Sequence, residues 1–171
     1  MVRCGKIGVF LCGVVLVGSL TTASADAARI STPVVYQSIR SEFGNSHGSY
    51  LVPNGLVSEQ IIMALGIPQP LIKLADGDYL LSGCRPHSCD EKAAVIVTSR
   101  GQVLAAGLIN FRCHLNSSKP YIGTTVCDRN AHLTLFLRKK VGRSALDLEL
   151  RNWASRQTHV QTVESLTLPP I

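Results

Sequence analysis

Aromatic residues are scarce, at 5% of the 171 residues, and they are not interleaved with the basic ones. A surface that binds nucleic acid pairs a cationic track with stacking platforms, so that class of partner has little support here. Common catalytic frames are missing too. The chain has no H-E-x-x-H and no glycine-rich phosphate loop, which removes the familiar signatures of zinc hydrolysis and nucleotide handling. It has no C-x-x-C pair, the usual spacing of short zinc motifs. It contains no internal repeat and no Pro/Gly/Ser-rich linker, so 171 residues read as one domain.

What is present begins with a leader. Arg3 and Lys6 precede an apolar run over residues 7–20, and Ala23-Ser24-Ala25 follows. This is the pattern of a secretory signal cleaved after Ala25. The run is too short and too glycine-rich to read as a membrane span, so residues 26–171 are expected as a mature domain with no span. Loss of the leader leaves 15 basic against 11 acidic residues, or +4. That mild bias suits an anionic envelope or an acidic cleft as partner.

Cys4 and Cys12 leave with the leader, and Cys84, Cys89, Cys113 and Cys127 remain. Four cysteines in an exported chain read as two disulfides. Three connectivities are open, and sequence alone does not choose among them. The local pairing Cys84–Cys89 with Cys113–Cys127 is preferred, because each pair brackets a loop between apolar runs. On a chain-entropy model the small ring contributes about 2 kcal/mol and the larger about 3 kcal/mol.

The pattern along the mature chain predicts α+β: an antiparallel sheet of about five strands flanked by helices. Thr32 as cap, Pro33, and Val35, Ile39 and Phe43 at helical spacing predict a helix over residues 33–43, stopped by Gly44. Residues 44–55 read as a polar loop, and 58–65 as a short helix or an irregular edge segment. Residues 71–74 and 79–82 flank Asp76-Gly77 and read as a hairpin. Residues 93–98 and 103–111 continue a meander across the turn Ser99-Arg100-Gly101-Gln102. Residues 112–131 read as a long loop. Leu133, Leu135 and Leu137 alternate in a half-buried strand over 132–139. Ser144 and Asp147 resemble a capping box, and Leu146, Leu150 and Trp153 give a helix over 145–155, against a competing strand reading of Leu146, Leu148 and Leu150. Residues 157–171 read as a tail.

The chemistry concentrates in Cys84-Arg85-Pro86-His87-Ser88-Cys89. If these cysteines pair, the ring is too small to bury its side chains, so Arg85 and His87 are expected to point outward. Pro86 stiffens the ring further. A plain structural staple would need only the two cysteines. A metal site could draw on Cys84, His87 and Cys89 with Cys113, His114 or His132, but the four-residue spacing and the oxidising compartment favour disulfides. In a catalytic reading Ser88 adjoins His87, yet neighbouring residues seldom reach triad geometry. Asp76 and Asp78 flank a turn glycine and read as turn formers, not as a glycosidase pair. Asn116-Ser117-Ser118 matches a glycosylation sequon. No cofactor and no metal are called for.

These six residues resemble the C-K-P-H-D-C loop of the inhibitor of vertebrate lysozyme (Ivy) family of bacterial periplasmic proteins. The flanks are similar as well: Asp78-Tyr79-Leu80-Leu81-Ser82-Gly83 before the loop, an apolar strand over 93–98 after it, then Arg100-Gly101 and Ala106-Gly107-Leu108-Ile109. The resemblance covers residues 71–111. It implies a signal peptide, a sheet with helices on its faces, no enzymatic activity, and a periplasmic inhibitor of c-type lysozyme or of a lytic transglycosylase. It also implies that His87 is the central contact, supported by Arg85 and Ser88, with Cys84–Cys89 holding the shape. Two positions depart from the motif: Arg85 stands for lysine and Ser88 for aspartate. Cys113 and Cys127 are not part of the motif. Some family members are dimers, and a homodimer is left open here.

Overall fold

The computed structural model of the chain describes residues 30–115, 125–138 and 143–168. The expected leader and the sequon at Asn116 lie outside these residues.

Helix α1 (Thr32–Phe43) buries Val35, Ile39 and Phe43, as the spacing predicts. Its cap is Ser31, one residue before the expected Thr32, and Gly44 ends it at φ 48° with its N–H on the Arg40 carbonyl. The supposed loop 44–55 is more ordered than its polarity suggests. It contains the paired strands β1 (His47–Gly48) and β2 (Gly55–Leu56). Helix α2 (Val57–Ala64) follows, so the helix reading of this stretch holds. Gln60 on α2 is 1% exposed. Its Oε1 accepts from the backbone N–H of Tyr50, Leu51 and Val52 at 3.1, 2.7 and 3.1 Å, and its Nε2 donates to the carbonyls of Gly48 and Gly55 at 2.9 Å. One amide thus supplies the backbone partners that a loop this short cannot find within itself.

The sheet comprises β3 (Ile67–Pro68), β4 (Ile72–Lys73), β5 (Tyr79–Arg85), β6 (Ser88–Val97), β7 (Val103–Asn110), β10 (Ala131–Arg138) and β11 (Val160–Leu168). Between β7 and β10 stand β8 (Cys113–Leu115) and β9 (Thr125–Cys127), which pair with each other. Helix α3 (Arg143–Gln157) connects β10 to β11. The order is β11-β10-β7-β6-β5-β3, with β4 also on β5. Every pair is antiparallel except β10–β11.

Seven strands replace the expected five or so. The residues read as a tail from 157 hold the end of α3 and the edge strand β11. β11 escapes sequence reading because Gln161, Thr162, Glu164, Ser165 and Thr167 are all exposed. Its order comes mainly from the backbone ladder to β10, with only Val160 and Leu166 packing against the two cores. Helix α3 starts at Arg143, so Ser144 lies inside it and Asp147 bonds Arg151 instead of a cap. Leu148 is 56% exposed while Leu146, Leu150 and Trp153 are buried, which decides for the helix over the strand.

Both sheet faces are covered. Ala93, Val95, Val97, Ala106, Leu108 and Phe136 meet α1 and α2. Ala94, Ile96, Ala105, Ile109 and the three leucines of β10 meet α3 through Leu150 and Trp153. β6 and β7 are therefore apolar on both sides. β10 is buried on both faces too, with Thr134 at 0% and Phe136 at 3% exposure, where one buried face was expected. Glu42, almost fully buried on α1, pairs with Arg138 at the end of β10 and ties the helix to the sheet. Among the described residues no helix is long and apolar enough to cross a membrane.

Replacing Gln60 by leucine keeps the volume but leaves three backbone N–H groups without an acceptor. Each orphaned buried donor costs about 1 kcal/mol or more. Gln60→Leu is therefore expected to lower the free energy of unfolding by about 3 kcal/mol, read by denaturant titration. A loss under about 1 kcal/mol would show that water replaces the amide there.

Candidate functional site: a disulfide-closed finger

The β5–β6 hairpin carries the motif at its tip. Down the ladder Tyr79 faces Val97, and the partners step evenly up to Cys84 facing Lys92. The next pair is Arg85 with Ser88. Three residues, Cys89, Asp90 and Glu91, are therefore extra on the β6 side, a large bulge at the neck of the hairpin. In the tip register Cys84 stands opposite Cys89, and the two form a disulfide with Cα atoms 4.8 Å apart. That spacing suits directly opposed residues of a hairpin.

Pro86 and His87 are the two turn residues, with His87 at φ 65°. Proline at the second and a positive φ at the third position are the marks of a type II turn. Histidine tolerates the left-handed region better than most residues, though at a cost of about 1 kcal/mol. Pro86, His87 and Cys89 are exposed, Ser88 is half-buried, and Cys84 is buried at 4%. The imidazole of His87 has no hydrogen-bond partner among the described residues.

Arg85 corrects the expectation that it points outward. Its guanidinium donates to Glu91 Oε2 at 2.7 Å, and the side chains are 30% and 8% exposed. The ring geometry constrains the backbone, not the reach of a long side chain, which folds back across the bulge. Lys92 Nζ donates to the Cys89 carbonyl. Covalent bond, ion pair and lysine together fix the bulge. Glu91 and Lys92 were not legible as site residues, since an acid and a base beside an apolar strand look like its solvated end.

The neck also has an outer support. β3 pairs with β5 at Ile67–Cys84 and Pro68–Gly83. A Cβ on Gly83 would lie 2.8 Å from the carbonyl oxygens of Leu65 and Ile67, and one on Gly66 would lie 2.7 Å from Pro86 Cδ. Glycine at both places lets the backbone approach closely. Ser82 Oγ adds a bond to Gln69 Oε1 at 3.0 Å.

The other residues singled out from the sequence lie elsewhere. Asp76 caps its own turn, accepting from the Asp78 N–H at 3.1 Å, with Gly77 at φ 92°. Burial first, and the neighbouring Asp76 second, push the Asp78 carboxyl up. His132 Nε2 pairs with Asp128 at 2.8 Å, and its Nδ1 meets Thr162. It is thus engaged, two strands away from the finger. The disulfide removes Cys84 and Cys89 as thiolate ligands, which takes the centre out of the metal reading. The expectation that the chain lacks a G-x-S-x-G is wrong: Gly44-Asn45-Ser46-His47-Gly48 has the spacing of a nucleophile elbow. That elbow needs a strand-to-helix turn, whereas this string follows the end of α1, and His47 Nδ1 contacts the Asn45 carbonyl at 2.7 Å.

Cys127 is disulfide-bonded, and the backbone register sets it directly across from Cys113.

A family model described as "Inhibitor of vertebrate lysozyme (Ivy)" matches residues 56–114, about a third of the chain. The match is wider than the resemblance over 71–111, since it takes in α2 and β3, the two elements that brace the finger. No curated protein and no solved structure matches the chain.

Two outcomes follow. Arg85→Ala leaves Glu91 buried without a cation and is expected to destabilise the protein by about 1–3 kcal/mol, whereas His87→Ala, at an exposed apex, should stay within about 0.5 kcal/mol; thermal unfolding of both variants checks the contrast. Proteolytic mapping without reductant is expected to return Cys113 and Cys127 in one linked peptide, and either cysteine recovered as a free thiol would break the pairing.

Proposed function

We propose that the mature protein is a periplasmic inhibitor of c-type lysozyme or of a related peptidoglycan-cleaving enzyme such as a lytic transglycosylase. The finger enters the active-site cleft with His87 first. The observation that carries this reading is the exposed imidazole, without a partner among the described residues, at the apex of a tip closed by Cys84–Cys89. The family match over the finger and its braces supports the same class of activity.

The chemistry follows from the target. Glycan hydrolases of this kind hold two carboxyl groups about 5–9 Å apart across a cleft. One is kept protonated by its surroundings and the other is charged. A neutral imidazole has one accepting and one donating nitrogen, so His87 accepts from the acid and donates to the carboxylate. The tip is rigid before it docks, so little ordering entropy opposes binding. Ser88 lacks the carboxylate of the family motif, so orientation of the imidazole falls to the turn itself, with Pro86 behind it and φ fixed at His87. Arg85 acts within the finger, holding Glu91, and is not the cation that faces the target. The protein performs no turnover in this reading; it occludes a site that does.

The test is inhibition of a c-type lysozyme, and in parallel of a lytic transglycosylase, on peptidoglycan. His87→Ala is expected to weaken inhibition by about 100-fold, the range of a central hot spot. Reductant is expected to weaken the wild-type protein as well. Unchanged inhibition by His87→Ala would overturn the finger mechanism.

A further inference from the structure

The finger is not the only projection at its end of the sheet. Lys92 at the neck of the finger faces Ile109 near the end of β7, and Ile109 faces Leu133 near the start of β10. The connection from β7 to β10 therefore leaves the sheet on the same side as the finger. In the order β10-β7-β6-β5 the midlines of the β5–β6 and β7–β10 pairs lie two strand spacings apart, about 10 Å.

The described part of this second arm is anchored at its base. The Asp128 N–H donates to the Phe111 carbonyl at 2.7 Å, and its carboxylate holds His132 at 2.8 Å. Cys127 is disulfide-bonded, and His132 is in turn held by Thr162. Arg112, at the entry, is neutralised by Glu164, just as Arg85 in the finger is neutralised by Glu91. Arg129 differs. It is exposed, follows the anchored Asp128 directly, and among the described residues has no ion pair or hydrogen bond.

We infer that Arg129 is a second contact with the same target enzyme, a cation that meets carboxylates on the rim of the cleft while His87 occupies its centre. This rests on the inhibitor reading. An unpaired guanidinium beside the anchored Asp128 matches a carboxylate-bearing cleft by charge, and the connection that carries it leaves the sheet at the finger's end, about two strand spacings along from it. It supplies a free cation at this end of the sheet, which Arg85, paired with Glu91, does not. A rim charge acts mainly on the rate of association and is screened by salt.

The experiment measures inhibition constants and association rates against c-type lysozyme at low and high ionic strength. It compares wild type, Arg129→Glu, Arg100→Glu and His87→Ala, each first checked for wild-type thermal unfolding. Arg100 lies on the β6–β7 turn at the opposite end of the sheet and makes the same change in net charge. Arg129→Glu is expected to raise the inhibition constant about tenfold at low salt, mostly through slower association, and the difference should shrink toward unity at about 0.5 M salt. Arg100→Glu is expected to stay within about twofold. Equal effects of the two reversals would overturn the second contact and leave only net charge. An effect of His87→Ala without one of Arg129→Glu would sink the second contact and keep the finger. A wild-type protein that inhibits no such enzyme would sink both.

Discussion

The arrangement of the site depends on one covalent constraint at Cys84. This residue belongs to two registers at once. Its backbone faces Lys92 in the sheet ladder, while its sulfur is joined to Cys89 in the tip. A hairpin can satisfy both only if three residues bulge out between them. The bulge turns the tip relative to the ladder and brings Glu91 back under Arg85 and the Cys89 carbonyl onto Lys92. Without the bond the ladder would be free to run on in a single register, and His87 would lose its place at the apex. The disulfide is thus less a staple of the domain than a means of selecting one hairpin register over another.

A selected register needs a stiff base, and the rest of the fold provides it. β5 is held by β6 on one side and by β3 and β4 on the other, and the glycines at 66 and 83 allow the end of α2 to press against the neck. α2 is itself fixed by Gln60, whose amide ties down the preceding loop. Helices on both faces make β6 and β7 the centre of two cores. A chain of contacts therefore runs from a buried glutamine to the exposed histidine, and each link is short and polar or closely packed.

How much of this was legible follows from where the information resides. The helices and the meander show in side-chain spacing, because burial on one stripe or on alternate faces is a local property of the chain. The finger shows because its cysteines, proline and histidine are adjacent in sequence. Arg85 was read wrongly, since its partner is set by the bulge, and the bulge follows from a pairing register that no local pattern encodes. β11 escapes for the opposite reason: its mostly exposed polar residues give no period, and its order comes from the β10 backbone and from side chains distant in sequence, Arg112 on Glu164 and His132 on Thr162. Gln60 looks like any polar residue on a short helix until the carbonyls and amides of residues 48–55 are placed around it. Glycine at 83, inside a strand, was the one available hint of close backbone approach.

The charges at the finger end then fall into a pattern with a functional consequence. Arg85 and Arg112, the arginines nearest the ladder in each projection, are both neutralised by glutamates of the same chain. Internal pairing lets a cationic side chain brace a loop without making the loop itself attract anions. Among the described residues, the exposed Asp90 carboxylate and the Lys92 ammonium stand at the neck of the finger without an ion pair, the polar imidazole of His87 stands at its apex, and the cation of Arg129 stands beside the other projection. Paired with Glu91, Arg85 adds no free guanidinium to the tip. In the inhibitor reading proposed above, the tip meets the carboxyl groups of a cleft through the hydrogen bonds of its imidazole, and attraction between unlike charges is left to Arg129.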